Sequence, residues 1–266
     1  MITSTSNEKV KYVRSLRRAE VRRQERSFIV EGVRLVEEAL RAGLQPALVF
    51  ANLDQMEKTA RGRHLLARLQ EFHPIAVSER VLEYAAETVT PQGVVAVLPM
   101  PAVEEEPGDL GPLALVLDGL RDPGNVGTIL RSAEASGVKA VILTPDCADV
   151  FSPKVVRAAM GAHFRLKLLP ERDWTNIKHL LKHRPIWVAS AGQGVSYFQV
   201  DWTREAGLVV GSEAAGPSQE AQNAATGFVQ IPMAGEAESL NAAIAASVIM
   251  FEALRQRMAG EGVKLD

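Results

Sequence analysis

Short apolar runs alternate with amphipathic stretches along this chain, the pattern of an α/β protein. Near the amino end, Val10, Val13, Leu16 and Tyr12 give one apolar helix face, with Ser6 or Asn7 placed to cap it. Residues 28–32 read as a strand, 33–41 as a helix and 48–51 as a second strand. A helix over 61–72, a strand at 75–77, a helix over 78–87 capped by Ser78 and a strand at 93–98 follow. Residues 1–98 therefore predict a small α/β domain with its own core. Residues 99–112 combine Pro99, Pro101, Pro107 and Pro112 with Gly108, Gly111 and the acidic run 104–106, the composition of a linker.

The second domain, 113–266, opens on a βαβ pattern. An apolar strand at 113–117 leads into turn formers at 118–127. A short helix over 128–136 then ends at Gly137, and a strand fills 138–143. Such a unit predicts a right-handed crossover and a parallel sheet. Beyond it lies a helix capped by Ser152, with Pro153 in its first turn, that ends at Gly161. Further strands fall at 166–169, 186–189, 208–210 and 228–231, with a helix over 174–182. A last helix over 240–258 carries almost no charge from 241 to 251 and is expected to be buried, against the sheet or another subunit.

Composition narrows the function classes. The 266 residues suit one or two domains, and 47% hydrophobic with 23% charged residues is ordinary for a soluble globular protein. A net charge of −2 means that nucleic-acid binding must come from a local patch. One cysteine, Cys147, excludes an internal disulfide and fits a reducing cytosol, so a cytoplasmic location is expected. No apolar run is long enough to span a membrane, and no signal-peptide pattern opens the chain. His64 and His73 have no metal-ligand spacing, so no metal is expected. His163 and Cys147 read as structural.

The local patch lies at Lys9, Lys11, Arg14, Arg17, Arg18, Arg22, Arg23 and Arg26, opposed only by Glu8, Glu20 and Glu25. It is either a solvated helix face or a surface for phosphates, which arginine binds through paired N–H groups. In the second domain, Asn125, Arg131 and Glu134 follow a strand, where open α/β sheets bind ligands. On their own they also fit a turn asparagine and a surface ion pair.

Three strand-end segments change the reading when taken together. The first runs from Asn125 to Glu134 as N-x-G-x-x-x-R-x-x-E. The second is Val209-Val210-Gly211-Ser212-Glu213-Ala214-Ala215-Gly216. The third is Ile231-Pro232-Met233 followed by Glu238-Ser239-Leu240-Asn241 and an alanine-rich helix. In this order and spacing they resemble the SpoU/TrmH branch of the SPOUT methyltransferases. Residues 152–164 resemble the segment that its ribosomal-RNA members carry. Asn7, Val10, Lys11, Leu16, Phe28, Glu31 and Gly32 are similar to their amino-terminal substrate-binding domain.

The resemblance implies a small amino-terminal α/β RNA-binding domain and a parallel-sheet SPOUT domain with a deep trefoil knot. It implies methyl transfer from S-adenosylmethionine to a ribose 2′-hydroxyl, with 23S rRNA as the expected substrate and a homodimer as the expected assembly. Gly211, Glu213, Gly216, Ile231, Met233 and Leu240 would hold the cofactor. Arg131 would act on the ribose, oriented by Glu134 and surrounded by Asn125, Ser239 and Asn241. Ser239 also fits the cap of the last helix. RNA contacts are expected from Arg14, Arg17, Arg18, Arg22, Arg23 and Arg26, with Lys154 and Arg157 helping. The alternatives are a tRNA ribose methyltransferase and a non-catalytic RNA-binding protein. A nucleotide-dependent oxidoreductase is disfavoured because no G-x-G-x-x-G opens a helix after a strand.

Overall fold

The computed structural model describes residues 1–88, 90–102 and 108–260, so the acidic run 104–106 and Pro107 lie outside the described residues. The first elements are α1 (Glu8–Ser15), α2 (Ala19–Glu25), β1 (Ser27–Glu31), α3 (Val33–Arg41), β2 (Leu48–Ala51), α4 (Leu53–Glu57), α5 (Ala60–Leu69), β3 (Ile75–Ala76), α6 (Glu79–Ala85) and β4 (Val94–Pro99). There follow β5 (Leu113–Asp118), α7 (Pro123–Ala135), β6 (Ala140–Leu143), α8 (Pro153–Ala159), β7 (Lys167–Leu169) and α9 (Trp174–Leu180). The chain continues with β8 (Ile186–Ala189), β9 (Val195–Ser196), β10 (Ala206–Gly211), α10 (Gln219–Ala224), β11 (Gly227–Gln230) and α11 (Ala242–Gly260).

Two compact units result, one of Met1–Ala102 with Phe151–Phe164, the other of Val103–Val150 with Arg165–Asp266. The first holds a four-stranded sheet in the order β1-β4-β2-β3. β4 runs antiparallel to both β1 and β2, while β2 and β3 are parallel. Val10, Val13 and Leu16 bury the expected face of the amino-terminal helix against Ile29, Phe50, Val81, Leu82, Val95 and Val97. Asn7, not Ser6, caps that helix by accepting from the Lys9 amide at 3.0 Å. Ser78 caps α6 as its position predicts. The segment Phe151–Phe164 packs into this unit, although the sequence pattern groups it with the second domain. Its Phe151 ring lies 5.2 Å from Phe28, and buried His163 sits 5.9 Å from Phe151.

The second unit holds a seven-stranded parallel sheet in the order β7-β6-β5-β10-β8-β11-β9. β5 and β10 are buried along their whole length, as expected of central parallel strands with both faces covered. α7 and α11 pack together, and the Ser247 hydroxyl donates to Ser132 Oγ at 2.7 Å between them. One boundary differs from expectation with a consequence for function. α7 begins at Pro123, not at residue 128, because Asp122 caps it by accepting from the Asn125 amide at 2.8 Å. Proline at the first helical position costs no hydrogen bond, so the turn-rich sequence is also a helix start. Asn125 therefore stands in the first turn of a helix.

α11 buries Ala243, Ala246, Ile249, Met250 and Ala253 but leaves Ile244 and Phe251 exposed, so only one of its faces meets the expectation of burial. Among the described residues, no helix is long and apolar enough to cross a membrane.

Candidate active site

A cleft of about 800 Å³ opens in the second unit where β8, β10 and β11 end and α11 begins. Its tightest wall starts at Gly211. A Cβ there would lie 2.3 Å from Pro217 N, closer than any real side chain tolerates, so only glycine lets the chain turn back on itself. Ser212 and Gly216 then exchange backbone hydrogen bonds at 3.0 and 2.9 Å, with Gly216 at φ +68°. Ile231, Met233 and Leu240 face this wall from the next two segments. All six residues expected at the cofactor, Gly211, Glu213, Gly216, Ile231, Met233 and Leu240, line this one cleft.

Asn125 ties the three motif segments together. Its Nδ2 donates to Glu213 Oε1 at 2.5 Å, and its Oδ1 accepts from Asn241 Nδ2 at 2.9 Å. Asn241 Oδ1 in turn accepts from the amides of Ala243 and Ile244 at 2.9 and 3.3 Å. The cap of α11 is thus Asn241 and not Ser239, because a cap must reach the second or third amide of the helix. Ser239 is exposed and lines the cleft beside Leu240.

Arg131 stands apart from this group. It is exposed and makes no hydrogen bond or ion pair among the described residues. Glu134 does not hold it, since the Glu134 carboxylate lies 3.8 Å from Arg165 Nε. The helix explains the separation. Asn125 and Ser132 are seven residues apart and share the face toward α11, while Arg131 projects from the adjoining face.

The basic residues of the first unit divide by burial. Arg22 is 2% exposed and donates to the carbonyls of Leu16 and Arg17 at 2.8 and 2.6 Å. It closes the α1–α2 corner and has no face left for a phosphate, which corrects its expected RNA contact. Arg14 donates to the Tyr84 carbonyl and stacks on the Tyr84 ring at 4.0 Å, and Arg17 donates to the Ala86 carbonyl. Arg26 is exposed and reaches the Pro101 carbonyl at 2.5 Å. Arg18, Arg23 and Lys154 are exposed. Arg157 pairs with Glu87 at 2.6 Å.

Sequence reasoning missed two contributors. The segment after β8, from Ala189 to Gly192, lines the cleft, and its signal was a strand running into small residues. Asp118 ends the buried strand β5 and is itself 4% exposed, and its signal was a lone carboxylate closing an apolar run. Among the described residues, no group of histidine, cysteine or acidic side chains could hold a metal ion.

Comparison with known proteins agrees with this geometry. The SpoU rRNA Methylase family matches residues 112–251, and the MRM3-like substrate binding domain matches residues 7–96. An uncharacterised tRNA/rRNA methyltransferase of Synechocystis is 38% identical over 97% of this chain and 94% of its own length. The 23S rRNA (guanosine(2553)-2′-O)-methyltransferase of Bacillus subtilis is 32% identical over 94% of this chain and 97% of its own. A crystal structure of a SpoU methyltransferase from Streptomyces viridochromogenes, in complex with AdoMet, matches with a TM-score of 0.84 and 31% identity. That match covers 95% of this chain and 99% of the other. With more than half of its length matched by the family, this chain belongs to the SpoU rRNA Methylase family.

Proposed function

We propose that this protein transfers the methyl group of S-adenosylmethionine to a ribose 2′-hydroxyl of 23S rRNA. The observation that carries the proposal is the Asn125 node, which joins the three motif segments at the mouth of one cleft. The cleft suits the cofactor. It offers apolar surface at Ile231, Met233, Leu240 and Ile249 for an adenine ring. Backbone polar groups around Gly216, where the missing side chain leaves open space, can be approached closely. Glu213, Ser239 and Asn241 add polar groups.

When bound, the cofactor supplies a methyl group activated by a sulfonium. The chain's task is then to position the ribose and stabilise the charge that develops on its oxygen. Arg131 suits that task. A guanidinium is never deprotonated under these conditions, so it acts as an electrostatic group and not as a base. Among the described residues it has no partner, so its N–H groups are available to an RNA phosphate and the reacting oxygen.

RNA capture belongs to the amino-terminal domain, residues 1–98, with Lys154 and Arg157 on the segment that joins its compact unit. Arg18, Arg23 and Arg26 are among its exposed cations, with the half-buried Arg14 and Arg17 beside them. The match to a substrate-binding domain is what favours rRNA over tRNA. The catalytic domain, residues 113–266, is joined through the linker 99–112. A deep trefoil knot around the cleft and a cytoplasmic homodimer complete the reading. The dimer is supported by Ile244 and Phe251, seven residues apart on α11, at 54% and 46% exposed.

The test is transfer of radiolabelled methyl from S-adenosylmethionine to total unmodified RNA. Label in 23S rRNA is the expected result. Label confined to tRNA keeps the chemistry and overturns the substrate. No label in any RNA, despite cofactor binding, favours a non-catalytic RNA-binding protein.

A further inference from the structure

We infer that Asp118 is a positioning residue that clamps the wall of the cofactor cleft and thereby sets the affinity for S-adenosylmethionine, an inference that rests on the function proposed above. Asp118 is the last residue of β5 and pairs in register with Gly211, the last residue of β10. Its buried carboxylate is committed on both sides. Oδ2 accepts from the Ser218 amide at 2.6 Å, and Oδ1 accepts from Trp174 Nε1 at 3.2 Å.

The placement of Ser218 gives these bonds their consequence. Ser218 directly follows Pro217, whose nitrogen is the atom a Cβ at Gly211 would strike. Pro217, Gly216 and Gly211 all line the cleft. The chain enters the wall from β10, held there by sheet pairing. It leaves at Ser218, held by Asp118 and by the Ser218 hydroxyl, which caps α10 by accepting from the Ala221 amide at 3.1 Å. Between these anchors the wall's backbone is held by the mutual pair between Ser212 and Gly216, by the Ala215 amide donating to Ser212 Oγ at 3.2 Å, and by Gln222 Nε2 donating to the Pro217 carbonyl at 3.0 Å. Those other contacts tie Pro217 and Ser218 to α10, whereas Asp118 ties them to the sheet beside Gly211, so without the carboxylate the exit of the wall can shift with α10.

The residue type follows from its partners. Both are N–H donors, so an acceptor-only group matches them, and a charged acceptor makes bonds about twice as strong as neutral ones. A buried carboxylate is costly unless it is hydrogen-bonded. The strand itself does not need it, because Leu113, Ala114, Leu115, Val116 and Leu117 are each at most 1% exposed and already anchor β5 in the core.

The test measures S-adenosylmethionine binding by calorimetry for the full-length wild type, Asp118→Ala, Asp118→Asn and Trp174→Phe. Melting curves without cofactor and steady-state transfer to 23S rRNA accompany it. Asp118→Ala is expected to weaken binding at least tenfold and to raise KM for the cofactor equally. Its kcat at saturating cofactor should stay within threefold and its RNA affinity should not change. Asp118→Asn should recover most of the loss, since its Oδ1 still accepts from Ser218. Trp174→Phe should lose two- to fivefold. A folded Asp118→Ala protein that binds cofactor within twofold of wild type overturns the inference, as does a parallel fall in kcat and melting temperature. If Asp118→Ala does not fold, unchanged affinity in both other variants overturns it.

Amide hydrogen exchange without cofactor supplies a readout that does not depend on the proposed function. Asp118→Ala, or Trp174→Phe in its place, should speed exchange at Gly216 and Ser218, by tenfold or more in the alanine variant. If the wild type binds no S-adenosylmethionine, the functional reading falls. Faster exchange would then still uphold the clamp, and unchanged exchange would remove it.

Discussion

Asn241 Nδ2 donates to Asn125 Oδ1 at 2.9 Å across 116 positions of the chain. The same Asn125 amide donates to Glu213, so one side chain links the starts of α7 and α11 with the loop after β10. Each amide is used on both of its ends, which fixes its orientation. Asn241 accepts from the first turn of α11 while donating to Asn125.

Asn125→Asp should expose the strength of this node. The substituted carboxylate would face Glu213, now at 2.5 Å from the amide nitrogen. Two carboxylates at that distance cannot both ionise, so the pair holds one proton with a raised pKa. A raised folded-state pKa stabilises below the unfolded value and destabilises as pH rises through it. The variant should therefore lose about 1–3 kcal/mol at pH 8 relative to wild type, and less at pH 5. Urea unfolding at the two pH values measures this, and an equal loss at both would exclude direct contact with Glu213.

Arg131 is exposed and unpartnered among the described residues, so stability does not depend on it. Arg131→Ala should leave the melting temperature within about 1 °C, an effect below ~0.5 kcal/mol. Methyl transfer should fall by about 10²–10³-fold, the usual loss when a stabilising donor is removed. Arg131→Lys keeps the charge but not the planar pair of N–H groups, and should also be severely impaired with cofactor and RNA binding intact. Near-normal turnover with lysine would leave charge alone as the requirement.

Arg22 and Arg23 are sequence neighbours with opposite expected effects. Arg22→Ala removes a buried guanidinium that satisfies two carbonyls and should cost about 1–3 kcal/mol of stability. Arg23→Ala, at an exposed position, should leave stability unchanged, weaken RNA binding and reduce the salt dependence of log Kd by about one unit. Thermal melts and binding titrations at several salt concentrations separate the two.

Cys147 donates to the Leu117 carbonyl at 3.1 Å, and burial pushes its thiol pKa up, opposed mainly by the Thr144 hydroxyl. The shift favours the neutral thiol in the folded state. Its contribution to stability is complete below the unfolded pKa of about 8.5 and declines as pH rises above it. Iodoacetamide at pH 8 should alkylate the native protein at least tenfold more slowly than the urea-unfolded chain. Equal rates would mean an accessible thiolate.

The sheet was legible because buried parallel strands such as 113–117 and 208–210 are plain apolar runs, and both strands formed where expected. The grouping of the six residues expected at the cofactor in one cleft was legible as well, but only through their resemblance to a family. Nothing in the spacing of Gly211, Ile231 and Leu240 says that they share a cleft. Three features stayed hidden for physical reasons. The start of α7 was masked because Asp122-Pro123-Gly124 serves equally as turn and helix cap. The burial of Arg22 depends on the α1–α2 corner, which puts it on the inside of a basic stretch that looks uniform in sequence. The role of Asp118 depends on Ser218, 100 positions away, and no local pattern records such a partner.

The most direct measurement is the chemical form of the label after transfer from S-adenosylmethionine to unmodified 23S rRNA. A methyl on a ribose 2′-hydroxyl blocks alkaline cleavage of the adjoining phosphodiester. The account predicts that all label is recovered in one alkali-resistant dinucleotide, and that Arg131→Ala slows its appearance by about 10²–10³-fold. Label recovered in mononucleotides would mean methylation of a base, and would contradict the assignment of the ribose as the acceptor.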